Sequence, residues 1–319
     1  RYDYVIGNPP FFKLKASDPR LPLYRLEAKN KNTSNICSFF LEKSLRLAKY
    51  VALVFPKFLL NTPEFSTTRA ELAQKSVDAI LDFGEKSFPG ILVETIAIFI
   101  NNLAAPANTK VFSLTHRLHL TQPQAYIFDP ELPYWIIYRN QLFDSVCRKL
   151  DFDVFEVFRD RQLTNKLLSS SGELRVLKSR NLSDDGKEIL DIPGYDSYIS
   201  YAAAKPLSVF QYLDAPNVYL TPNMTYKPRM MKKPPHCVVN GSLAILIPKK
   251  DFTLSEKQLS YFSTEEYRTF YQIARNFQTR SLNVDSCSVF FYGLLRDEPK
   301  SSRSDSTEPI QLSFDDCVK

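Results

Sequence analysis

Four consecutive residues near the start of the chain, Asn8-Pro9-Pro10-Phe11, are of types that together could act on an exocyclic amino group. The amino nitrogen of adenine is a poor nucleophile, because its lone pair is delocalised into the ring. The side-chain oxygen of Asn8 and the backbone carbonyl of Pro9 could each accept a hydrogen bond from that group as the nitrogen becomes tetrahedral. Such bonds strengthen as positive charge grows on the nitrogen, so they favour the transition state over the ground state.

The backbone of this motif is restricted in a way that suits the same role. Pro9 and Pro10 fix their own backbone angles and offer no N–H that would compete for the acceptors. Phe11 could stack on a base that has been flipped out of a duplex, since an atom inside the double helix cannot be reached. The same residues could also form an ordinary turn after a strand, so their position in the fold has to decide.

A strand is predicted immediately before the motif. Tyr2 to Ile6 reads as a short buried strand, which must end at Gly7-Asn8-Pro9-Pro10 because two prolines cannot continue a hydrogen-bonded ladder. Ligands of α/β folds bind at the carboxyl edge of the sheet. The strand is therefore expected to deliver Asn8 to that edge.

The first hundred residues alternate between strand and helix patterns, an order typical of the second half of a doubly wound α/β sheet. The composition then shifts to Asn, Ala and Pro, and the alternation fades into short strands, helices and long loops. We predict a catalytic domain over residues 1–105, an α+β domain over 106–296 and a disordered tail over 297–319. The elements predicted in the first domain are strands at 2–6, 50–55, 77–83 and 95–100, and helices at 36–49 and 65–75.

The composition is that of a soluble globular protein, with 44% hydrophobic and 24% charged residues. No apolar run approaches the roughly 20 residues that span a bilayer, and no signal peptide opens the sequence, so a cytoplasmic location is expected. Five widely spaced cysteines and three histidines make a metal site improbable. The net charge of +6 permits nucleic-acid binding without showing it.

Glycine is sparse, with 8 residues and no Gly-x-Gly turn. A loop that binds a nucleotide or S-adenosylmethionine after a first strand normally needs such glycines. The cofactor-binding residues are therefore unknown, and their principal motif is expected outside this chain. Because the sequence opens at Arg1 without a methionine, we expect it to be part of a longer polypeptide or a subunit cut from one.

The segment from Tyr2 to Phe11 resembles motif IV of the gamma class of adenine-specific DNA methyltransferases, the TaqI-like enzymes of restriction–modification systems. Residues 35–47 resemble the helix that follows in this family, and residues 51–57 resemble its next strand with the usual proline. The resemblance implies the second half of a Rossmann-like methyltransferase sheet, followed by an α+β target-recognition domain. The cofactor motifs that this family carries before motif IV are missing.

By the same resemblance, Phe88 would face Phe11 across the flipped adenine, since residues 83–99 are similar to the segment that supplies a second aromatic ring. Core packing is the alternative for Phe88. Weaker similarities at 172–186, 242–248 and 261–282 look like pieces of the target-recognition domain. The partners implied are double-stranded DNA, the missing N-terminal methyltransferase half, either fused or separate, and a cognate restriction endonuclease.

Several basic and polar residues are candidates for DNA contact. The densest basic stretch runs from Tyr226 to Pro235 on a loop stiffened by prolines, a composition that suits contact with phosphates and grooves. A second candidate stretch, residues 276–281, follows a predicted helix. A solvated surface loop explains the first stretch about equally well, and a plain helix terminus explains the second. The DNA-binding candidates are Lys57, Lys227, Arg229, Lys232, Lys233, Gln278 and Arg280.

Other functions share the Asn-Pro-Pro motif. It also serves enzymes that methylate amino groups in ribosomal RNA or the glutamine amide of release factors, but those chains usually end soon after the sheet. A non-catalytic DNA-specificity module that kept a relic motif is a further alternative. Cytosine as the target base also stays open.

Overall fold

The computed structural model describes residues 2–85, 93–279 and 283–297, and the backbone of a strand at 310–313. The chain forms two compact units. Within the described residues, the first unit comprises 2–140, 275–279 and 310–313, and the second comprises 141–274 and 283–297. No helix among those described is long and apolar enough to cross a membrane.

The first unit is a seven-stranded mixed sheet in the order β1-β2-β4-β3-β5-β6-β16. The pairs β1–β2 and β3–β5 are parallel, whereas β4 runs antiparallel to both β2 and β3. Its strands are β1 (Tyr2–Gly7), β2 (Ala48–Pro56), β3 (Ser76–Gly84), β4 (Thr95–Asn101), β5 (Asn108–Ser113), β6 (Leu118–Pro123) and β16 (Ile310–Ser313). Its helices are α1 (Arg20–Glu27), α2 (Ile36–Leu47), α3 (Ser66–Ala73) and α4 (Gln124–Ile127). The predicted α/β class is confirmed.

One face of this sheet is buried by helices that the sequence pattern already indicated. Helix α2 packs on β1 and β2, and α3 packs on β3. Asn35 caps α2, with its side-chain oxygen accepting a hydrogen bond from the Cys37 N–H. Such a cap satisfies one of the N–H groups that a helix leaves unpaired at its start.

The opposite face is open beside β1. Tyr2, Tyr4 and Ile6 point to this face and are exposed, Ile6 by 79%. Phe99 shares the face, because Ile6 is opposite Ala52 and Ala52 is opposite Phe99 across the sheet. The prediction of a buried first strand was therefore wrong. Strand β1 lies at an edge of the described sheet, and no described element covers these side chains.

The first unit extends beyond residue 105, because β5 and β6 continue the same sheet. The predicted disordered tail, residues 297–319, lies outside the described residues except for Asp297 and the strand β16, which pairs antiparallel with β6.

The second unit combines small sheets with helices, as an α+β fold does. Its sheets have the orders β12-β11-β14-β8, β10-β9-β13 and β15-β7. A core of aliphatic side chains from β9, β11, β13 and β14 holds the first two together. The strands are β7 (Leu150–Asp151), β8 (Phe155–Phe158), β9 (Leu174–Leu177), β10 (Ser197–Ile199), β11 (Tyr219–Pro222), β12 (Met231–Lys232), β13 (Cys237–Val239), β14 (Leu243–Pro248) and β15 (Leu294–Leu295). The helices are α5 (Gln141–Lys149), α6 (Tyr201–Ala204), α7 (Glu256–Tyr261) and α8 (Glu265–Ala274).

Candidate active site

Strand β1 places the Asn-Pro-Pro-Phe motif at the carboxyl edge of the sheet. Gly7, its last residue, is opposite Leu53 of the parallel strand β2. Asn8 follows directly and is exposed, whereas Pro9 is buried and fixes the chain beneath it. The amide of Asn8 is thus open to a ligand at the edge where α/β folds bind ligands.

The backbone after the motif is held by the start of helix α2. The buried Asn35 amide donates from Nδ2 to the Phe11 carbonyl at 3.2 Å. The Ile36 N–H donates to the Phe12 carbonyl at 3.1 Å. The ring of Phe11 is half-buried and that of the neighbouring Phe12 is 53% exposed. Phe12 was not among the predicted site residues, although its position directly after the motif is visible in the sequence.

A buried ionic cluster lies along the same sheet edge. The Lys57 ammonium is 2.7 Å from Asp82 Oδ2 and 3.7 Å from Glu94 Oε1, and all three side chains are almost inaccessible to solvent. Lys57 directly follows β2, Asp82 is near the end of β3, and Glu94 directly precedes the antiparallel β4. Because β4 runs the opposite way, its start lies at the edge where β2 and β3 end.

Both carboxylate oxygens of Asp82 have partners at this edge. Its Oδ1 accepts from the Gly84 N–H at 2.9 Å, and its Oδ2 accepts from the Tyr138 hydroxyl at 2.5 Å as well as from Lys57. Burial, reinforced by the negative charge of Asp82, raises the pKa of Tyr138 well above its ordinary value, so the hydroxyl remains a donor. We therefore correct the DNA-binding assignment of Lys57, since its ammonium is buried in an ion pair.

The segment 275–279 closes over the cluster within the first unit. Gln278 is buried and accepts from Asn61 Nδ2 at 2.6 Å, so its predicted role in reading DNA is also corrected. The Thr279 N–H donates to both carboxylate oxygens of Glu94 at 3.2 Å. Two residues predicted to contact nucleic acid, Phe88 and Arg280, lie outside the described residues.

The predicted basic loop of the second unit divides into two kinds of residue. Lys227 and Lys232 are exposed, as a phosphate contact requires. Arg229 and Lys233 are buried instead, and burial lowers the pKa of each. We correct their DNA-binding assignment, because the terminal nitrogens of both side chains donate to backbone carbonyls. Arg229 donates to Lys227, Ser179 and Leu182, and Lys233 donates to Leu213 and Pro234.

Arg159 and Arg161, a pair of arginines that were not among the predicted site residues, lie in the second unit. Burial and the positive charge of Arg161 both lower the pKa of Arg159. In the described parts of the chain, no carboxylate lies within ion-pair distance of either guanidinium, and Arg159 reaches only Asn223 Oδ1 at 3.5 Å. The negative charge of Asp285 partly offsets these two effects on the pKa of Arg159, and two arginines at spacing i and i+2 suit a phosphate. The signal in the sequence is short, Arg-Asp-Arg, and many surface loops share it.

No group of three or more metal-ligating side chains is present in the described ranges of the chain. At this edge the Asn8 amide and the Phe12 ring are exposed, and the Phe11 ring is half-buried. They supply hydrogen-bond acceptors and aromatic faces rather than a nucleophile.

The start of the chain matches a known family. The model described as "Eco57I restriction-modification methylase" matches residues 1–88. No curated protein sequence matches the chain at a significant level.

Solved structures match more of the chain at low identity. The type IIL restriction-modification enzyme MmeI, solved in complex with DNA, is 10% identical over 90% of this chain and 46% of its own, with a TM-score of 0.51. The type IIG restriction endonuclease BpuSI is 11% identical over 93% of this chain and 47% of its own, with a TM-score of 0.39. The methyltransferase subunit of a type I system from Streptococcus thermophilus is 21% identical over 36% of this chain and 26% of its own, with a TM-score of 0.29.

The chain spans less than half of each of these three structures. The first of them shows a shared fold over most of this chain. The match over residues 1–88 includes β1, the exposed Asn8 and the buried Lys57–Asp82 pair. The predicted resemblance to the methylases of restriction–modification systems is thereby confirmed for the segment that carries the Asn-Pro-Pro-Phe motif.

Proposed function

We propose that this chain is the portion of a restriction–modification DNA methyltransferase that carries the catalytic motif and reads DNA. The substrate is the exocyclic amino group of adenine in a base flipped out of the duplex. The observation that carries the proposal is the exposed Asn8 at the carboxyl end of β1, inside the segment that matches the methylase family. S-adenosylmethionine is the methyl donor that the family implies.

The side chains of this chain bind and orient the adenine. Asn8 Oδ1 and the Pro9 carbonyl each accept a hydrogen bond from one N–H of the amino group, which directs the nitrogen lone pair toward the incoming methyl group. The bond between Asn35 and the Phe11 carbonyl fixes the backbone that presents the Phe11 ring to the base. Phe88 is the second stacking partner in this proposal.

The principal cofactor site does not fit the residues of this chain. The sequence has no Gly-x-Gly turn, and the exposed edge strand β1 leaves one apolar face of the sheet uncovered among the described elements. Parallel strands are normally covered on both faces. A complementary α/β half, fused or separate, would add strands beside β1, cover Tyr4 and Ile6, and bring the glycine-rich loop. A cognate restriction endonuclease is the further partner.

The second unit supports a nucleic acid, rather than a protein glutamine, as the substrate. The arginine pair Arg159 and Arg161 and the exposed Lys227 and Lys232 supply positive charge for phosphates. Two large side chains, Met224 and Tyr226, are exposed in the same loop as Lys227 and could contact bases in a groove.

The proposal is tested by methyl transfer in the presence and absence of the complementary half. The chain alone is expected to show no micromolar binding of S-adenosylmethionine by calorimetry. Together with that half, it should transfer labelled methyl groups to duplex DNA, and nucleoside analysis should identify N6-methyladenine. N4-methylcytosine would correct the target base, and labelling of structured RNA or a glutamine-containing protein alone would overturn the DNA assignment. Tight cofactor binding to the chain alone would show that the cofactor site has been misplaced.

DNA contact by the exposed basic residues has its own test. Replacing Lys227 and Lys232 with Gln together should weaken DNA binding and reduce the slope of log affinity against log salt by about 0.9 for each lost phosphate contact. Fluorescence anisotropy with duplex DNA between low and physiological salt measures this slope. The matched control is Lys205→Gln, an exposed lysine of the same unit. A slope unchanged from that of the control would leave this loop as a solvated surface.

A further inference from the structure

The segment 275–279 is an unusual part of the first unit, because the chain on either side of it belongs to the second. Arg275, Asn276 and Gln278 are all buried, although the sequence around them reads as the polar end of a helix. Such burial of polar side chains requires hydrogen-bond partners. The partners show what the segment holds in place.

Two residues of the segment have left-handed backbone angles. Asn276 has φ of 51° and Phe277 has φ of 50°, a region that residues other than glycine seldom adopt. The Asn276 side chain accepts from the Ile137 N–H at 2.9 Å and donates to the Trp135 carbonyl at 2.8 Å. The Phe277 ring contacts both His116 and Tyr138. Unfavourable backbone angles of this kind persist where the surrounding contacts hold the backbone in place, and they cluster at functional sites.

The consequence of this arrangement is the placement of Thr279. Its N–H donates to both oxygens of Glu94, and its hydroxyl donates to a carboxylate oxygen of Glu85. Glu85 directly follows β3 and Glu94 directly precedes β4. One residue therefore ties together the two ends of the β3–β4 connection, at the sheet edge that also carries Asn8.

Glu94 links this bridge to the ionic cluster. The Lys57 N–H donates to the Glu94 carbonyl at 2.8 Å, and the Lys57 ammonium lies 3.7 Å from its carboxylate. Lys57 in turn follows β2, the neighbour of β1. The ends of β2 and β3 and the start of β4 are thus connected through Thr279, Glu94 and Lys57.

We propose that Thr279 is a positioning residue for methyl transfer, which sets the geometry of the carboxyl edge by holding Glu85 and Glu94 together. The inference rests on the function proposed above. Thr279 touches neither the base nor the methyl donor in this proposal. It acts through the two glutamates on the strands that present the site.

The test compares Thr279→Val, which removes the hydroxyl and keeps the N–H and the branched shape, with Thr279→Ser, which keeps both donors. In the chain alone, hydrogen exchange of the Glu85 and Thr95 amides should accelerate about tenfold in the Val variant and return to normal in the Ser variant. In the complete enzyme, kcat should fall about tenfold in the Val variant, with KM for DNA within twofold, and the Ser variant should restore it. Thr62→Val is the matched control, because the Thr62 hydroxyl is bonded to a carbonyl of the same unit at 2.9 Å.

The outcomes separate this inference from the function on which it rests. If the unsubstituted chain with its complementary half methylates nothing, the proposed function fails, and the exchange measurement still tests the bridge. Normal exchange in Thr279→Val, or normal kcat with accelerated exchange, would overturn the positioning role. Equal effects in Thr62→Val would show that the faster exchange and lower kcat come from a general loss of stability, and not from a positioning role of Thr279.

Discussion

Replacing Asn8 with Ala is expected to lower kcat for methyl transfer by on the order of a hundredfold or more, since it removes the acceptor that we propose acts mainly in the transition state. The exposed amide at the end of β1 packs no core, so the melting temperature should change little. DNA affinity should stay within about twofold, because the basic residues that we propose bind phosphates lie elsewhere. Single-turnover kinetics with labelled methyl donor and anisotropy with duplex DNA measure the two quantities.

A neighbouring asparagine supplies the control for this substitution. Asn32 is exposed in the loop before α2, and Asn32→Ala should leave both kcat and DNA affinity unchanged. Near-normal turnover of Asn8→Ala in the complete enzyme would disprove the catalytic role of the motif. A large fall in DNA affinity instead would place Asn8 in recognition rather than in chemistry.

The substitution Lys57→Met is expected to destabilise the first unit by about 3–5 kcal/mol, the usual effect of removing one partner from a buried ion pair. The substitution keeps an unbranched side chain that is one atom shorter and removes the charge, so that Asp82 and Glu94 remain buried without their cation. Urea unfolding followed by circular dichroism should show a lower midpoint with a similar slope.

Two further variants make this expectation specific. Lys15→Met changes an exposed lysine of the same unit and should shift the free energy of unfolding by no more than about 0.5 kcal/mol. The double variant Lys57→Met with Asp82→Asn should recover part of the loss, because it removes one of the two stranded charges. A Lys57→Met protein as stable as Lys15→Met would mean that Lys57 is solvated and available to DNA, as the sequence first indicated.

The position of Asn8 at the carboxyl edge of the sheet was predictable because its signal is local. Two prolines after a strand must end it, and the residues between strand and turn must then lie at the end of that strand. The alternation of strand and helix patterns likewise predicted β2, β3 and β4, since each of these strands is a short apolar run. None of these inferences required contacts between residues far apart in the chain.

The roles of Lys57, Arg229, Lys233 and Gln278 were not predictable in the same way. A basic or amide side chain in a polar or proline-rich stretch reads as solvated, because its partners do not appear beside it. Lys57 meets a carboxylate that follows it by many residues, and Gln278 bonds to Asn61 from the far end of the chain. The burial of β1 was mispredicted for a related reason. Its apolar residues indicate that another element should cover them, but the sequence does not show whether this chain supplies that element.

The first unit is built from separate stretches of the chain, and this affects how it folds during synthesis. Residues 275–279 complete the polar contacts of Glu94, Asn61 and Trp135, yet the ribosome adds them after most of the second unit. At about 5–20 residues per second, the delay is on the order of ten seconds. During that time the nascent first unit holds Glu94 without the backbone donor of Thr279. Its native sheet edge can therefore form only late in synthesis, and a ribosome that pauses within the second unit would prolong the exposure of an unfinished fold.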